Sequence, residues 1–241
     1  NKKFFNAEIY KTPFDKETVK DVNSWVNLKT SGMITKLLSD DAFDKKGEIE
    51  PLMCLVNTVF FDAEWASKYE KSYTTTFTND KGNEKEIEGL YSGSNNYYEL
   101  DNAIAFKKSY AGKYKFVGIL PDADLTLDEY INSIDPAKLS EQLKHPGDME
   151  NTVVSTMIPE FEYDYDCSMG DALKQIGMPS AFTRFGADFS KINDMSEEGA
   201  DKIFIGDVIQ KTKIELTKGG TRAAAATAII MNDAICAQDP T

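Results

Sequence analysis

The sequence predicts a mixed α/β domain of the α+β class, and three observations carry the prediction. Several short segments alternate apolar and polar residues, or run unbroken with β-branched and aromatic residues, as strands do. Other segments, Lys16–Leu28 foremost, space their apolar residues three and four apart, as helices do. Hydrophobic residues make up 41% and aromatics 11% of the 241 positions, enough for a sizeable core, and no repeat or low-complexity linker divides them. Residues 1–241 are therefore read as a single domain.

Taken in order, Phe4–Tyr10 alternates and reads as a strand closed by Thr12-Pro13. Lys16–Leu28 places Val19, Val22, Trp25, Val26 and Leu28 at helical spacing, and Gly32 ends it. Ile34, Leu37 and Leu38 form a short apolar cluster beyond. Asp40–Glu48 lacks the ligand spacing of a calcium loop and reads as a solvated turn. Leu52–Phe61 is apolar, β-branched and aromatic, hence a buried strand, inside which Asn57 needs partners. Tyr73–Thr78 and Lys85–Leu90 flank a hairpin turn. Tyr97–Leu100, Ala103–Lys108 and Lys115–Leu120 read as strands, and Leu127–Ile134 with Pro136–Leu143 as short helices. Thr152–Phe161 is β-rich but broken at Pro159. Ser168 or Asp171 is placed to cap a helix carrying Met169, Leu173 and Ile176 and ended by Gly177. Ile203–Leu216 is a strand run, and Asp233–Thr241 a loop without pattern.

Composition excludes several functions. A formal net charge of −13 disfavours nucleic acid and anionic membrane surfaces as partners. No apolar run approaches the roughly 20 residues of a membrane helix. Cys54, Cys167 and Cys236 are an odd number without a framework, and Cys54 reads as a buried thiol. His145, the only histidine, lies in a polar turn with no nucleophile motif beside it, so a Ser-His-Asp or Cys-His hydrolase has no support. It makes no zinc ligand set with three scattered cysteines, and no Gly-rich phosphate loop precedes a helix. No catalytic residue, metal or cofactor is assigned.

One stretch stands apart. Gly219-Gly220-Thr221-Arg222-Ala223-Ala224-Ala225-Ala226-Thr227 is made of small residues and directly follows the Ile203–Leu216 run. Alanine favours helix, so a short surface helix capped by Thr221 is one reading. Strand parity gives another: Thr221, Ala223, Ala225, Thr227, Ile229 and Met231 share one face, with Arg222 on the other. A face that is small and then apolar can slide between strands without a clash, and the two glycines let the backbone turn either way.

This stretch resembles the hinge of the reactive-centre loop of serpins. Further matches stand in that family's order: Asn23-Ser24-Trp25-Val26, then Leu55-Val56-Asn57-Thr58-Val59-Phe60-Phe61 with Trp65. After them come Ile158-Pro159-Glu160-Phe161, and Gly177-Met178-Pro179-Ser180-Ala181-Phe182 with Ala187-Asp188-Phe189-Ser190. The resemblance implies a serpin fold with a large, mainly antiparallel central sheet. It also implies inhibition of serine, or cysteine, proteases as a suicide substrate, whose cleaved loop inserts into that sheet. The rival is a non-inhibitory binding or storage protein on the same scaffold. No proline or bulky charge on the face of Thr221, Ala223, Ala225 and Thr227 obstructs insertion, which favours inhibition.

By the same resemblance, residues 217–241 are the hinge and reactive-centre loop, with the hinge at Gly220–Thr227. Asn57 belongs to the polar shutter beneath the separating strands, where Gln210 replaces the usual histidine. Trp65 belongs to the breach, where the loop first enters. Lys218 and Glu160 carry the reverse of the family's usual charges there and are expected to attract each other. Spacing from Gly220 puts the scissile bond at Ala234-Ile235, which suits an elastase-like protease. The family also implies an extracellular or secreted protein. Finally, it implies further N-terminal helices and C-terminal strands as partners of residues 1–241.

Overall fold

The computed structural model describes residues 7–45, 47, 49–79, 81–93, 96–147, 154–192 and 203–234. They fall into two compact units, one drawn from the described residues up to Phe60, from Tyr163 to Ile214 and from Ala223 on, the other from those of Phe61–Glu162 and Glu215–Arg222.

In the first unit, helix α1 spans Lys16–Lys29. Asp15 caps it by accepting the Thr18 N–H at 2.9 Å, and that bond holds the Asp15 carboxyl below its ordinary range. Ser31 and Gly32, at φ 50° and 84°, carry the chain out of the helix. Val19 and Val26 are buried, whereas Leu28, expected on the same face, is 76% exposed. It lies nine residues from Val19, two and a half turns on, and so on the side of the helix opposite that buried residue. The following segment buries Met33, Ile34, Leu37, Leu38 and Phe43 in the same core. Asn23 fastens it to the helix: its Oδ1 accepts the N–H groups of Leu37 and Leu38, each at 2.8 Å, and its Nδ2 donates to the Leu38 carbonyl.

Strand β1 (Ile49–Glu64) presents Cys54, Val56 and Phe60 to this core. Burial there pushes the Cys54 thiol up to about 12, so it is no nucleophile at neutral pH. The strand is not buried on both sides as its apolar run implied. Leu55 and Val59 on the other face are 45% and 61% exposed, and Asn57 beside them is exposed too, because no described residue covers that face.

The second unit holds two three-stranded sheets. One has the order β2-β3-β7, from Lys71–Thr78, Glu84–Gly93 and Ser155–Pro159; the other has β4-β5-β6, from Asn96–Leu100, Ala103–Ser109 and Lys115–Pro121. All four pairings are antiparallel, in registers such as Thr78↔Glu84 and Leu90↔Ile158. Helix α2 (Leu127–Ser133) opens on a capping box between Thr126 and Glu129, and α3 (Pro136–Gln142) on Asp135. His145 follows them, exposed, its Nε2 3.2 Å from Glu141. Trp65, Tyr69, Leu90, Tyr110 and Leu216 make this unit's core.

Strand β8 (Phe161–Ser168) was not read from the sequence, which stopped at Phe161. Its Tyr163 and Tyr165 are exposed, while Asp164 and Asp166 pair with Lys213 and Lys211. Its aromatic and acidic residues alternate as a strand's do, but the break read at Pro159 ended the sequence-based segment before them. Neither Ser168 nor Asp171 caps helix α4 (Gly170–Gln175), since Ser168 donates instead to Asp207 at 2.7 Å. Strands β9 (Phe204–Leu216) and β10 (Gly220–Ala234) complete a four-stranded sheet of order β1-β10-β9-β8. Thus Asp233 and Ala234 continue a strand where a loop was expected; residues 235–241 lie outside the described part.

The predicted Phe4–Tyr10 strand fails where it can be seen. Phe4–Asn6 are outside the described residues, and Ala7–Thr12 is irregular. Polar contacts to α1 hold it instead, as Glu8 accepts from Trp25 Nε1 at 3.1 Å and Lys29 Nζ at 3.2 Å. Hydrogen bonds from Tyr10, then Trp25 and Lys29, bring the Glu8 carboxyl down from 4.5 to about 2. The folded value is depressed, so this tether contributes fully above about pH 4.5 and is lost as pH falls through about 2. A carboxyl NMR titration of Glu8 is expected to find a midpoint near 2; an ordinary midpoint would show the tether absent in solution.

Candidate functional site

The site is β10 itself, seated between β1 and β9. Three residues, Thr217–Gly219, join β9 to β10, and the Thr217 N–H closes the turn on the Gly220 carbonyl at 2.9 Å. So short a connection between paired neighbours makes a hairpin. Neither Gly219 nor Gly220 has positive φ, so the freedom to turn expected of them is not used. Gly220 is needed for space. A Cβ there would lie 2.3 Å from the Ala63 carbonyl oxygen and 2.9 Å from Glu64 Cα, and main chain cannot give way as a side chain would.

Residues distant in sequence fasten the turn. Trp65 donates its indole N–H to Thr217 O at 2.9 Å and its main-chain N–H to Gly219 O at 3.0 Å. Tyr69 N–H reaches Lys218 O at 3.1 Å, and Tyr110 O–H reaches Thr221 Oγ1 at 2.8 Å. Trp65 stacks on Tyr110 at 4.4 Å between centroids and meets Tyr69 edge-on at 5.8 Å. All three rings are at most 5% exposed. Sequence reasoning found Trp65 but not Tyr69 or Tyr110, which carry no local signal beyond an aromatic ring.

The expected Glu160–Lys218 attraction takes another form. The Glu160 carboxylate accepts the main-chain N–H of Lys218 at 3.3 Å, and among the described residues Lys218 forms no ion pair. Its charge acts on Glu88, which hydrogen bonds from Ser72 and Thr74 already hold below the ordinary carboxylate range. Arg222 is the residue with ionic partners. It lies 3.6 Å from Asp62 of β1 and 3.5 Å from Glu215 of β9.

Along the rest of β10, Ala224, Ala226, Ala228 and Ile230 are buried in the core that α1 covers, none more than 5% exposed. The parity is that of a strand, but between Ala223 and Ile230 the fully buried residues are the even-numbered ones; of the expected odd-numbered face, Thr221 and Met231 at its two ends are buried. Ala223, Ala225, Thr227 and Ile229 are half-buried, because they share the side on which β1 is bare. Thr227 on that side donates to Gln210 Oε1 of β9. Asn57 is not joined to them. Ala234 ends the strand, and Ile235 is outside the described residues. No cluster of three His, Cys, Asp or Glu among the described residues could hold a metal ion. None of the described helices is long and apolar enough to cross a membrane.

The family model "Serpin (serine protease inhibitor)" matches residues 1–241, and the chain belongs to that family, one of protease inhibitors rather than enzymes, with its α+β fold. It is 29% identical to serpin B6 of Pongo abelii over 95% of this chain and 60% of that one. It is 27% identical to the leukocyte elastase inhibitor of Equus caballus over 94% and 60%. The solved structure of the thermophilic serpin tengpin in the latent state superposes with a TM-score of 0.79 at 36% identity, over 95% and 60% of the two chains. The chain thus spans about three fifths of the length of these relatives. The expectation of an extracellular or secreted protein is corrected, since relatives of the serpin B type are typically intracellular and give it no support.

Two substitutions test this geometry. Gly220→Ala is expected to lower the stability of the folded protein by about 1–3 kcal/mol, read from the urea midpoint. Ala226→Leu is expected to cost more than Ala225→Leu, because only the former overpacks a filled face. Equal midpoints for the two leucine variants would refute the assignment of faces.

Proposed function

We propose that the protein containing these residues inhibits serine endopeptidases as a suicide substrate. Its loop is residues 217–241 and its hinge Gly220–Thr227, and the target is elastase-like. The protease serine attacks the Ala234 carbonyl, leaving Ala234 as an acyl ester on the enzyme and a new amino terminus at Ile235. The freed strand then enters the sheet between β1 and β9 and carries the trapped protease with it. The observation that supports this most is β10 as an internal strand, with Arg222 between Asp62 and Glu215. Each fully buried Ile-sized side chain contributes about 1.5–3 kcal/mol. Each added hydrogen bond contributes about 0.5–1.5 kcal/mol net. Over a strand this long, the inserted state is favoured strongly enough that a kinetic barrier must hold the uninserted one.

In this reading Trp65, Glu160 and Lys218 form the breach. Asn57 and Gln210 form the shutter, and Gln210 supplies hydrogen bonds but no titration. The bare face of Leu55, Asn57 and Val59 receives the remaining segments of the same serpin. An elastase-like target agrees with the small Ala234 before the cut and with the relatives named as elastase inhibitors.

The test is incubation of the full-length protein with a panel of serine and cysteine proteases. A complex surviving boiling in detergent, with a released peptide beginning at Ile235, is expected with an elastase-like enzyme. Cleavage without a complex would make the protein a non-inhibitory member, and cleavage only upstream of Thr227 would remove the assigned bond.

A further inference from the structure

Lys108, in β5, is 6% exposed, and none of the described residues gives it a hydrogen bond or an ion pair. Its ammonium instead lies 4.1 Å from the centroid of Tyr69 and 5.7 Å from that of Trp65. Both distances fall within cation–π reach. No charged group stands against it from either ring-bearing segment, and burial alone pushes the ammonium below the ordinary lysine range. Towards the ammonium the Tyr69 side chain offers its ring face, and its buried hydroxyl has no hydrogen-bond partner among the described residues. An apolar residue would fill this position without desolvating a charge, so the ammonium acts through the two ring faces.

Those rings belong to the residues that hold the β9–β10 turn. Tyr69 and Trp65 donate to Lys218, Gly219 and Thr217, and Trp65 stacks on Tyr110, which donates to Thr221. Resting on the inhibitory reading above, we propose that Lys108 is a positioning residue for strand insertion. Its ammonium locks the Tyr69 and Trp65 faces so that their N–H groups, and the Tyr110 hydroxyl behind them, are aimed at the incoming hinge.

The experiment uses the full-length protein carrying Trp25→Phe, so that Trp65 reports from this part of the chain. The loop is cut with a non-target protease, and insertion is followed by Trp65 emission and by the rise in Tm. Lys108→Met, similar in length but neutral, is expected to slow insertion about fivefold to thirtyfold, the range of a desolvated cation–π contact. Tyr69→Leu should slow it equally, and the double variant no more than either alone. Tyr69→Phe keeps the ring face, and adding Lys108→Met to it should still slow insertion. If Lys108→Met matches the parent, or if the two effects simply add, the role assigned to Lys108 is wrong while the inhibitory reading stands. A parent whose Tm does not rise on loop cleavage overturns both.

Discussion

A strand with a neighbour on each side has no free edge, and that constraint governs this structure. Both rows of main-chain groups on β10 face partners, β1 on one side and β9 on the other. Nothing on the strand can widen it without displacing a neighbour. Gly220 shows the limit, since the Ala63 carbonyl occupies the space a methyl group would need. Ala224 and Ala226 meet a limit of their own, because α1 and the segment after it close over that face at van der Waals contact. Arg222, the long side chain, is tolerated where both neighbouring strands offer a carboxylate.

The aromatic cluster answers a different demand. A turn leaves main-chain carbonyls and N–H groups unpaired, and burying them costs free energy unless donors are supplied. Trp65 and Tyr69 supply donors from rigid, packed positions, and Glu160 accepts the Lys218 N–H. Recognition therefore runs through the backbone of Thr217–Gly219, while the Thr217 hydroxyl braces the turn from within by accepting the Gly219 N–H at 3.2 Å. Lys218 itself illustrates this, since its charge reaches Glu88 only through space.

Much of the fold was legible in the sequence because local pattern dictated it. Helix α1, the hairpin of β2 and β3, and β9 followed from periodicity and turn residues. The proposed hinge was legible as a strand through the parity of its small residues, but most of its buried face was not. Parity separates two faces without saying which one a helix covers, and here α1 lies over Ala224 and Ala226. Of the aromatic cluster at the β9–β10 turn only Trp65 was legible, through its resemblance to the family. Trp65 and Thr217 are 152 positions apart, and Tyr110 and Thr221 are 111 apart. Contacts at that separation leave no periodic trace. Lys108 looked like an ordinary strand lysine for the same reason, and β8 was missed because the break read at Pro159 stopped short of its acidic residues, which pair across strands with Lys211 and Lys213.

The short turn between β9 and β10 gives the strand a direction. Where Thr217 already closes on Gly220, the next rung brings together groups only a few residues apart, so loop closure costs least at that end. The sheet therefore closes like a zip with one end sewn shut, from Thr221 outward, and Asp233 and Ala234 are the last to dock and the first to leave. Amide protection along β10 becomes a depth gauge, strongest beside the turn and fading toward the end where the proposed cut lies. A loop inserted only part way would then be a defined state with a measurable length.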